Sequence, residues 1–195
     1  MVRNYDECMR PFERRVFGEA RARLVATAVG RVLDVGAGTG ANFAHYGDAV
    51  HSVVAVDPEL EMLERAAPKG ARSAATVHIV AASAEELPFP DESFDTVVAT
   101  LVFCTIADPG RALGELERVM AHGGRILMLE HVRSSSRPLA LLQDVATPIQ
   151  RVIAAGCHLN RQTRSLVERS GLRIDAVRER YLGVVVELEA TRATR

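Results

Sequence analysis

The sequence predicts an α/β fold, a mostly parallel seven-stranded sheet covered by helices on both faces, and three observations predict it. Strand-like and helix-like segments alternate along the chain, which calls for parallel strands joined by crossover helices. The first strand signal runs into a glycine-rich turn, Val32-Leu33-Asp34-Val35-Gly36-Ala37-Gly38-Thr39-Gly40, at the kind of junction where open α/β sheets bind nucleotides. The last two strand signals are separated only by a short Leu182-Gly183 turn, so they should pair antiparallel at one side of the sheet. A length of 195 residues suits one domain, residues 1–195, with one core. No repeat or low-complexity linker divides it.

Taken in order, a leading helix is predicted over residues 11–29, before a first strand at 31–35. The β-branched run His51-Ser52-Val53-Val54-Ala55-Val56 makes a second strand at 51–56. Asp57 then precedes Pro58, which suits the first position of a helix over 58–67. Strands follow at 76–80 and 94–100. Asp108-Pro109 opens a helix whose buried stripe is Leu113, Leu116, Val119 and Met120 and which Gly123 closes. After a strand at 124–132, the apolar stretch 138–156 reads as two short amphipathic helices broken near Pro148. Asn160 starts a further helix that carries Leu166 and Val167 and stops at Gly171, and strands at 172–181 and 183–190 finish the chain.

The chemistry is set by one carboxylate. The glycines, read as Gly36-x-Gly38-x-x-Ala41, fit a loose dinucleotide fingerprint in which a pyrophosphate sits on the helix N-terminus. Asp34, just before the turn, would repel that pyrophosphate by roughly several kcal/mol. S-adenosylmethionine (SAM) has no phosphate and carries a sulfonium and an ammonium, which an aspartate favours. Asp57 follows the glycines at about the 20-residue spacing of an acid that takes ribose hydroxyls; its alternative role is to cap the next helix. Asp34, Asp57, Ser83, Thr100 and His131 all fall at carboxyl ends of predicted strands, where ligands of open sheets lie.

Composition excludes several classes. Lys and Arg number 24 against 25 Asp and Glu, and no basic run tracks a phosphate backbone, so nucleic acid is not the expected partner. The basic stretch Arg192 to Arg195 reads as a frayed terminus. Cys8, Cys104 and Cys157 are odd in number and widely spaced, which suggests neither a disulfide framework nor a metal site. The charged first 30 residues lack a signal-peptide core, and 138–156 is too often interrupted by polar residues to span a membrane. A cytoplasmic protein is expected, with a small-molecule acceptor and no integral membrane span.

These motifs resemble the class I SAM-dependent methyltransferases along nearly the whole chain. Val32 to Gly40 is similar to their first motif and Val54 to Asp57 to their second. Ala82-Ser83-Ala84-Glu85-Glu86-Leu87-Pro88-Phe89 is similar to the adenine-contacting loop, Phe94 to Thr100 to the fourth strand, and His122 to Leu127 to the following turn and strand. The resemblance implies a Rossmann-like three-layer sandwich with strand order 3-2-1-4-5-7-6 and an antiparallel seventh strand. It implies SAM as cofactor, held by Asp34, Gly36, Gly38, Gly40, Asn42, Phe43, Asp57, Pro58, Ser83, Ala84, Glu85 and Thr100. A narrower likeness, to small thiol S-methyltransferases and their bacterial relatives, rests on Gly38 to Phe43, Thr100 to Ile106, Leu129-Glu130-His131-Val132, Gln143, Pro148 and Gly156 to Thr163. It implies an acceptor site formed in part by residues 133–160; residues 1–30 read either as a lid, with Tyr5 and Phe12 folding over the ligand as N-terminal segments do in similar enzymes, or as ordinary packing of a leading helix. Ser83 and His158 depart from the animal members.

Among acid–base candidates, His131 at the end of the fifth strand is the expected catalytic residue, with Glu130 facing the opposite way. His158, near Cys157, is a candidate to line the acceptor pocket, its alternative being loop filler, and the run 101–106 with Phe103 is expected to form the pocket's apolar wall. Cys104 reads as a small buried hydrophobe. A thiol acceptor, already partly ionised at neutral pH, needs little help from a base, whereas a phenol or alcohol needs one within reach. The narrower likeness implies thiol methylation, which these few acid–base candidates suit. Methylation of a quinone, polyketide or lipid head group, a nicotinamide oxidoreductase and a non-catalytic SAM-binding protein are the alternatives.

Overall fold

The computed structural model describes residues 5–153 and 156–193. Seven strands form one sheet, β1 (Gly30–Val35), β2 (Val50–Asp57), β3 (Thr76–Ala81), β4 (Phe94–Thr100), β5 (Met120–His131), β6 (Leu172–Arg180) and β7 (Val185–Arg192), in the order β3-β2-β1-β4-β5-β7-β6. Pairings among β1 to β5 are parallel, and β7 runs antiparallel to both β5 and β6. The implied order and the antiparallel seventh strand are both present.

Side-chain alternation along the central strands divides the core in two. Leu33, Val35, Val97, Ala99, Ile126 and Met128 face α4 (Pro109–Val119) and α6 (Thr163–Glu168) through Leu113, Leu116 and Val167. Val32, Val53, Ala55, Val98, Leu127 and Leu129 face α2 (Gly18–Val25) and α3 (Leu60–Gly70) through Ala20, Leu24 and Ala66. Asp34 and Thr100 share the parity of Val32 and Val98, so both point to the α2 side.

Several boundaries differ from expectation. The leading helix begins at Tyr5 rather than residue 11: α1 (Tyr5–Phe12) passes through a π-helical turn, Glu13–Phe17, into α2. Pro11 sits inside α1 instead of starting a helix. The second strand is followed by an Asx turn, because the Asp57 carboxylate accepts from the Glu59 amide at 2.9 Å, and α3 starts only at Leu60 with Pro58 outside it. Gly123 does not end α4; β5 has already begun at Met120, and Gly123 adopts φ +78° within an irregular stretch of that strand.

The expected break near Pro148 is absent: α5 (Arg137–Ile153) runs through it as one helix. Gln143 fixes this helix to the sheet end, accepting from the Ser134 amide and donating to the Val132 and Leu159 carbonyls. The Thr147 hydroxyl returns to the Gln143 carbonyl beside the proline. These bonds hold the helix in register where a proline alone would kink it. The last helix, α6, is preceded by Gln162 rather than Asn160, whose side chain is occupied with Asp144. The final hairpin turns over four residues, with Tyr181, Leu182 and Gly183 all at positive φ. Arg192 is not frayed: it belongs to β7 and donates to the Glu117 and Met120 carbonyls. Arg195 lies outside the described residues.

Candidate cofactor and acceptor site

The carboxyl ends of β1, β2, β4 and β5 converge, and the sequence places a polar or glycine residue at each. After β1 the chain turns through Gly36, Gly38 and Gly40, at φ +64°, +53° and +78°, a region in which L side chains are strained. The first and second of these glycines are needed for different reasons. A Cβ on Gly36 would stand 2.2 Å from Val102 Cγ2, whereas one on Gly38 would meet only the Gly36 carbonyl at 4.0 Å. Gly36 is thus held by packing, and Gly38 presents bare backbone to the space beyond the strands, the cradle an adenosyl ligand requires.

Asp57 at the end of β2 locks this turn. Its Oδ2 accepts from the Gly38 amide at 3.0 Å and its Oδ1 from Glu59. A carboxylate has about four lone-pair sites, so two remain for ribose hydroxyls. The capping and the ligand-binding roles are therefore compatible in one residue.

Asp34 is fully buried. Its Oδ1 accepts from Asn42 Nδ2 at 2.8 Å, and the buried Tyr46 hydroxyl stands beside the carboxylate as a second donor. Burial pushes the Asp34 carboxyl up to about 6, against the lowering effect of Tyr46, Asn42 and Arg21. Asn42 and Thr100 join this group: Asn42 Nδ2 donates to Thr100 Oγ1 at 3.1 Å, and Arg21 donates to Asn42 Oδ1 and Thr100 Oγ1, each at 2.7 Å. Arg21 was not legible as a site residue. It is buried, and it also pairs with Glu13 at 2.7 Å. That partner is eight residues away and comes into reach across the π turn.

The other expected cofactor residues divide. Ser83 and Glu85 form a compact loop: Ser83 Oγ bonds Glu85, and Glu85 Oε1 accepts from the Asp108 amide at 2.6 Å. Ala84 is buried in the α4-side core, leaving its backbone to the loop. Phe43 is buried in the other core beneath Gly40, so its ring shapes the turn from below. Pro58 is exposed next to Asp57. Above the turn, the Thr39 hydroxyl donates to Asp6 of α1 at 2.6 Å, and Lys69 reaches the same carboxylate at 3.1 Å. Tyr5 and Phe12 lie on this helix and are exposed.

At the end of β5, Glu130 and His131 are successive strand residues with different hydrogen-bond partners. Leu101, at φ +56°, turns the chain out of β4 so that the Val102 and Phe103 amides both donate to Glu130 Oε1 at 3.1 Å. Burial raises the Glu130 carboxyl to about 7, although those two amides work to lower it. His131 Nε2 lies 3.0 Å from Cys157 Sγ. Burial alone would lower its pKa, but the Cys157 hydrogen bond and the Cys157 and Glu130 charges outweigh it and raise it. The Cys157 thiol is pushed below its ordinary value, first by the hydrogen bond from Cys104 and, against burial, by His131. The His158 ring donates through Nδ1 to the Cys104 carbonyl at 3.1 Å. Phe103 is fully buried in the core and forms no pocket wall, a correction caused by the inward turn at Leu101. Arg161 ties the same loop down through the Phe103 and Ile106 carbonyls.

Residues 33–128 match the protein family described as "Methyltransferase domain". The chain is 35% identical over 143 residues to a thiol S-methyltransferase, TMT1B, of Rattus norvegicus, covering 71% of this chain and 58% of that protein. It is 32% identical over 169 residues to the ubiquinone/menaquinone biosynthesis C-methyltransferase UbiE of Vibrio campbellii, covering 84% and 60% respectively. The chain thus spans about three-fifths of the length of these relatives. The fold superimposes on the crystal structure of a SAM-dependent methyltransferase from Thermotoga maritima with a TM-score of 0.73 at 21% identity, covering 98% of both chains. With its glycine turn, its buried strand-end carboxylates and its strand order, the chain carries a methyltransferase domain of the class I SAM-dependent family.

Proposed function

We propose that the protein transfers a methyl group from SAM to a small, fairly apolar thiol. SAM supplies an activated methyl on a sulfonium, so the protein's task is chiefly to bind, orient and exclude water, and positioning contributes about 7 to 11 kcal/mol in such reactions. Asp57 would hold the ribose hydroxyls, the Gly36–Gly40 backbone the nucleoside, and the loop of Ser83, Ala84 and Glu85 the adenine. Asp34 and Asn42, with Thr100, would face the ammonium end and Arg21 the carboxylate. Asp34 supports this assignment as a fully buried carboxylate at the end of β1, beside the glycine turn.

The match to the rat thiol S-methyltransferase carries the thiol reading. The acceptor side supports it chemically. Glu130 spends one oxygen on two backbone amides and keeps Oε2 buried without a partner, so it stands with the His131–Cys157 pair as a proton acceptor. A thiol needs no stronger base. The longer match to the Vibrio enzyme favours a second reading, C-methylation of a quinol. Incubation with methyl-labelled SAM and a panel of alkyl thiols, aryl thiols, quinols and amine head groups separates the two. Label in a thioether is the expected product; label on quinol carbon with none on any thiol would replace the first reading with the second.

A further inference from the structure

Three side chains from separate parts of the chain meet at the carboxyl ends of β4 and β5. Cys104 follows β4, His131 ends β5 and Cys157 follows α5, and one ligand atom from each lies within 4.8 Å of the other two. Both cysteines are buried free thiols, and His131 Nε2 is 3.0 Å from Cys157 Sγ. The fold fixes this meeting: the His158 amide and ring both donate to the Cys104 carbonyl, at 2.8 and 3.1 Å, which ties the segment carrying Cys157 to the one carrying Cys104. His131 Nδ1 is buried and has no partner. Two soft sulfur donors and an imidazole thus converge in a dry site, with few other hydrogen bonds to occupy them.

We infer that Cys104, His131 and Cys157 bind a divalent cation of the thiophilic class, zinc above all. Zinc takes thiolate sulfur at about 2.3 Å and imidazole nitrogen at about 2.0–2.1 Å in a tetrahedron, which sets two sulfurs roughly 3.8 Å apart and sulfur and nitrogen roughly 3.6 Å apart. The observed cluster encloses those separations, and the His131–Cys157 pair has to open by only about half an ångström. Thiolate donors select zinc over magnesium or calcium, and the cation would take the place of the protons these groups otherwise share, so that with metal bound His131 and Cys157 no longer accept the acceptor's proton and Glu130, with Oε2 free, keeps that role. Widely spaced cysteines gave no sign of this, because the ligands come from three different strand-end and loop segments rather than a local Cys-x-x-Cys pair.

Three protein donors leave a fourth position, the arrangement of zinc sites that exchange a ligand rather than of closed structural ones. The cluster occupies the same end of the sheet as Asp34 and the glycine turn, so a thiol acceptor could bind there. That use of the open position rests on the thiol reading above; the metal site itself does not.

The test uses the full chain, reduced and stripped of metal, titrated with cobalt(II) and then zinc. The expected result is one equivalent of cobalt with thiolate-to-metal charge-transfer absorption and tetrahedral d–d bands, displaced by zinc. Cys104→Ser, Cys157→Ser and His131→Gln should each weaken binding by at least about tenfold, and Cys8→Ser should not. Should the variants fold poorly, alkylation of the wild-type chain serves instead: zinc should slow modification of Cys104 and Cys157 relative to the metal-free chain and leave the rate at exposed Cys8 unchanged. Absence of the charge-transfer band, or unprotected Cys104 and Cys157 in saturating zinc, would overturn the inference, as would a Cys104–Cys157 disulfide whose reduced form binds no metal. Added alkyl thiol should then shift the cobalt spectrum. An unchanged spectrum would leave the metal site standing and remove only the thiol from its fourth position.

Discussion

Burying Asp34 costs stability that a bound cation can return. Its carboxyl titrates at about 6 in the folded chain against an ordinary 3.8, so between these values the folded state holds a proton that the unfolded state has lost. Stability therefore falls as pH rises from about 4 to 6 and stays reduced above, by roughly 3 kcal/mol from this group. Asp34→Asn keeps an oxygen for Asn42 and removes the charge. Thermal denaturation should show the variant more stable than wild type at about pH 7.5, with the difference vanishing near pH 4. The same variant should bind S-adenosylhomocysteine more weakly. Wild-type affinity should drop by up to about tenfold per pH unit below 6, while that of the variant stays flat; a variant as tight-binding as wild type at neutral pH would remove Asp34 from the ligand's cationic end. Asp34 and Asp57 were readable because each ends a strand in a recognisable unit. Arg21, Cys104 and Cys157 were not, since their roles depend on partners that only the fold brings near.

At the scale of elements, the glycine turn and the leading helix make separable predictions. Gly36→Ala drives a methyl into Val102 and should destabilise the chain by about 3 kcal/mol or more. Gly38→Ala meets no such wall and should cost only the left-handed backbone strain, about 1–2 kcal/mol, while weakening cofactor binding by calorimetry far more than Gly36→Ala does per unit of lost stability. Equal binding by Gly38→Ala and wild type would mean that no ligand approaches this backbone. The bond from Thr39 to Asp6 joins α1 to the turn, the contact through which a lid would act. Asp6→Ala should leave the melting temperature within a few degrees of wild type and speed S-adenosylhomocysteine release several-fold in stopped-flow; an unchanged release rate would make α1 ordinary packing. The strands were legible because short β-branched apolar runs, buried on both faces, are bounded by Gly, Pro and Asp and are too short for helices. The helix ends were not. Pro11 and Pro148 read as a start and a break by local rule, yet a π turn follows the first and Gln143 anchors the helix around the second, tertiary effects that local sequence does not encode.

At the scale of the molecule, the sheet order sets the division of labour. Parallel strands β1, β2, β4 and β5 all end on one side, which brings the glycine turn, Asp34, Asp57, Thr100 and His131 together from residues nearly 100 positions apart. The antiparallel β7 completes the sheet beside β5 and supports its end, where His131 pairs with Val185. Among the described residues, no helix is long and apolar enough to cross a membrane. The order was accessible through family likeness rather than through pattern, because pairing partners of parallel strands are not marked locally. The acceptor side was the least legible part, since loops 101–106 and 156–163 are positioned by carbonyl contacts from His158 and Arg161. The most direct measurement is a crystal structure of the chain with S-adenosylhomocysteine. The account predicts ribose hydroxyls on Asp57, the amino group on the Asp34–Asn42–Thr100 side, and the sulfur directed toward the β4 and β5 ends. A ligand bound elsewhere, or one whose amino group lies away from Asp34, would contradict it.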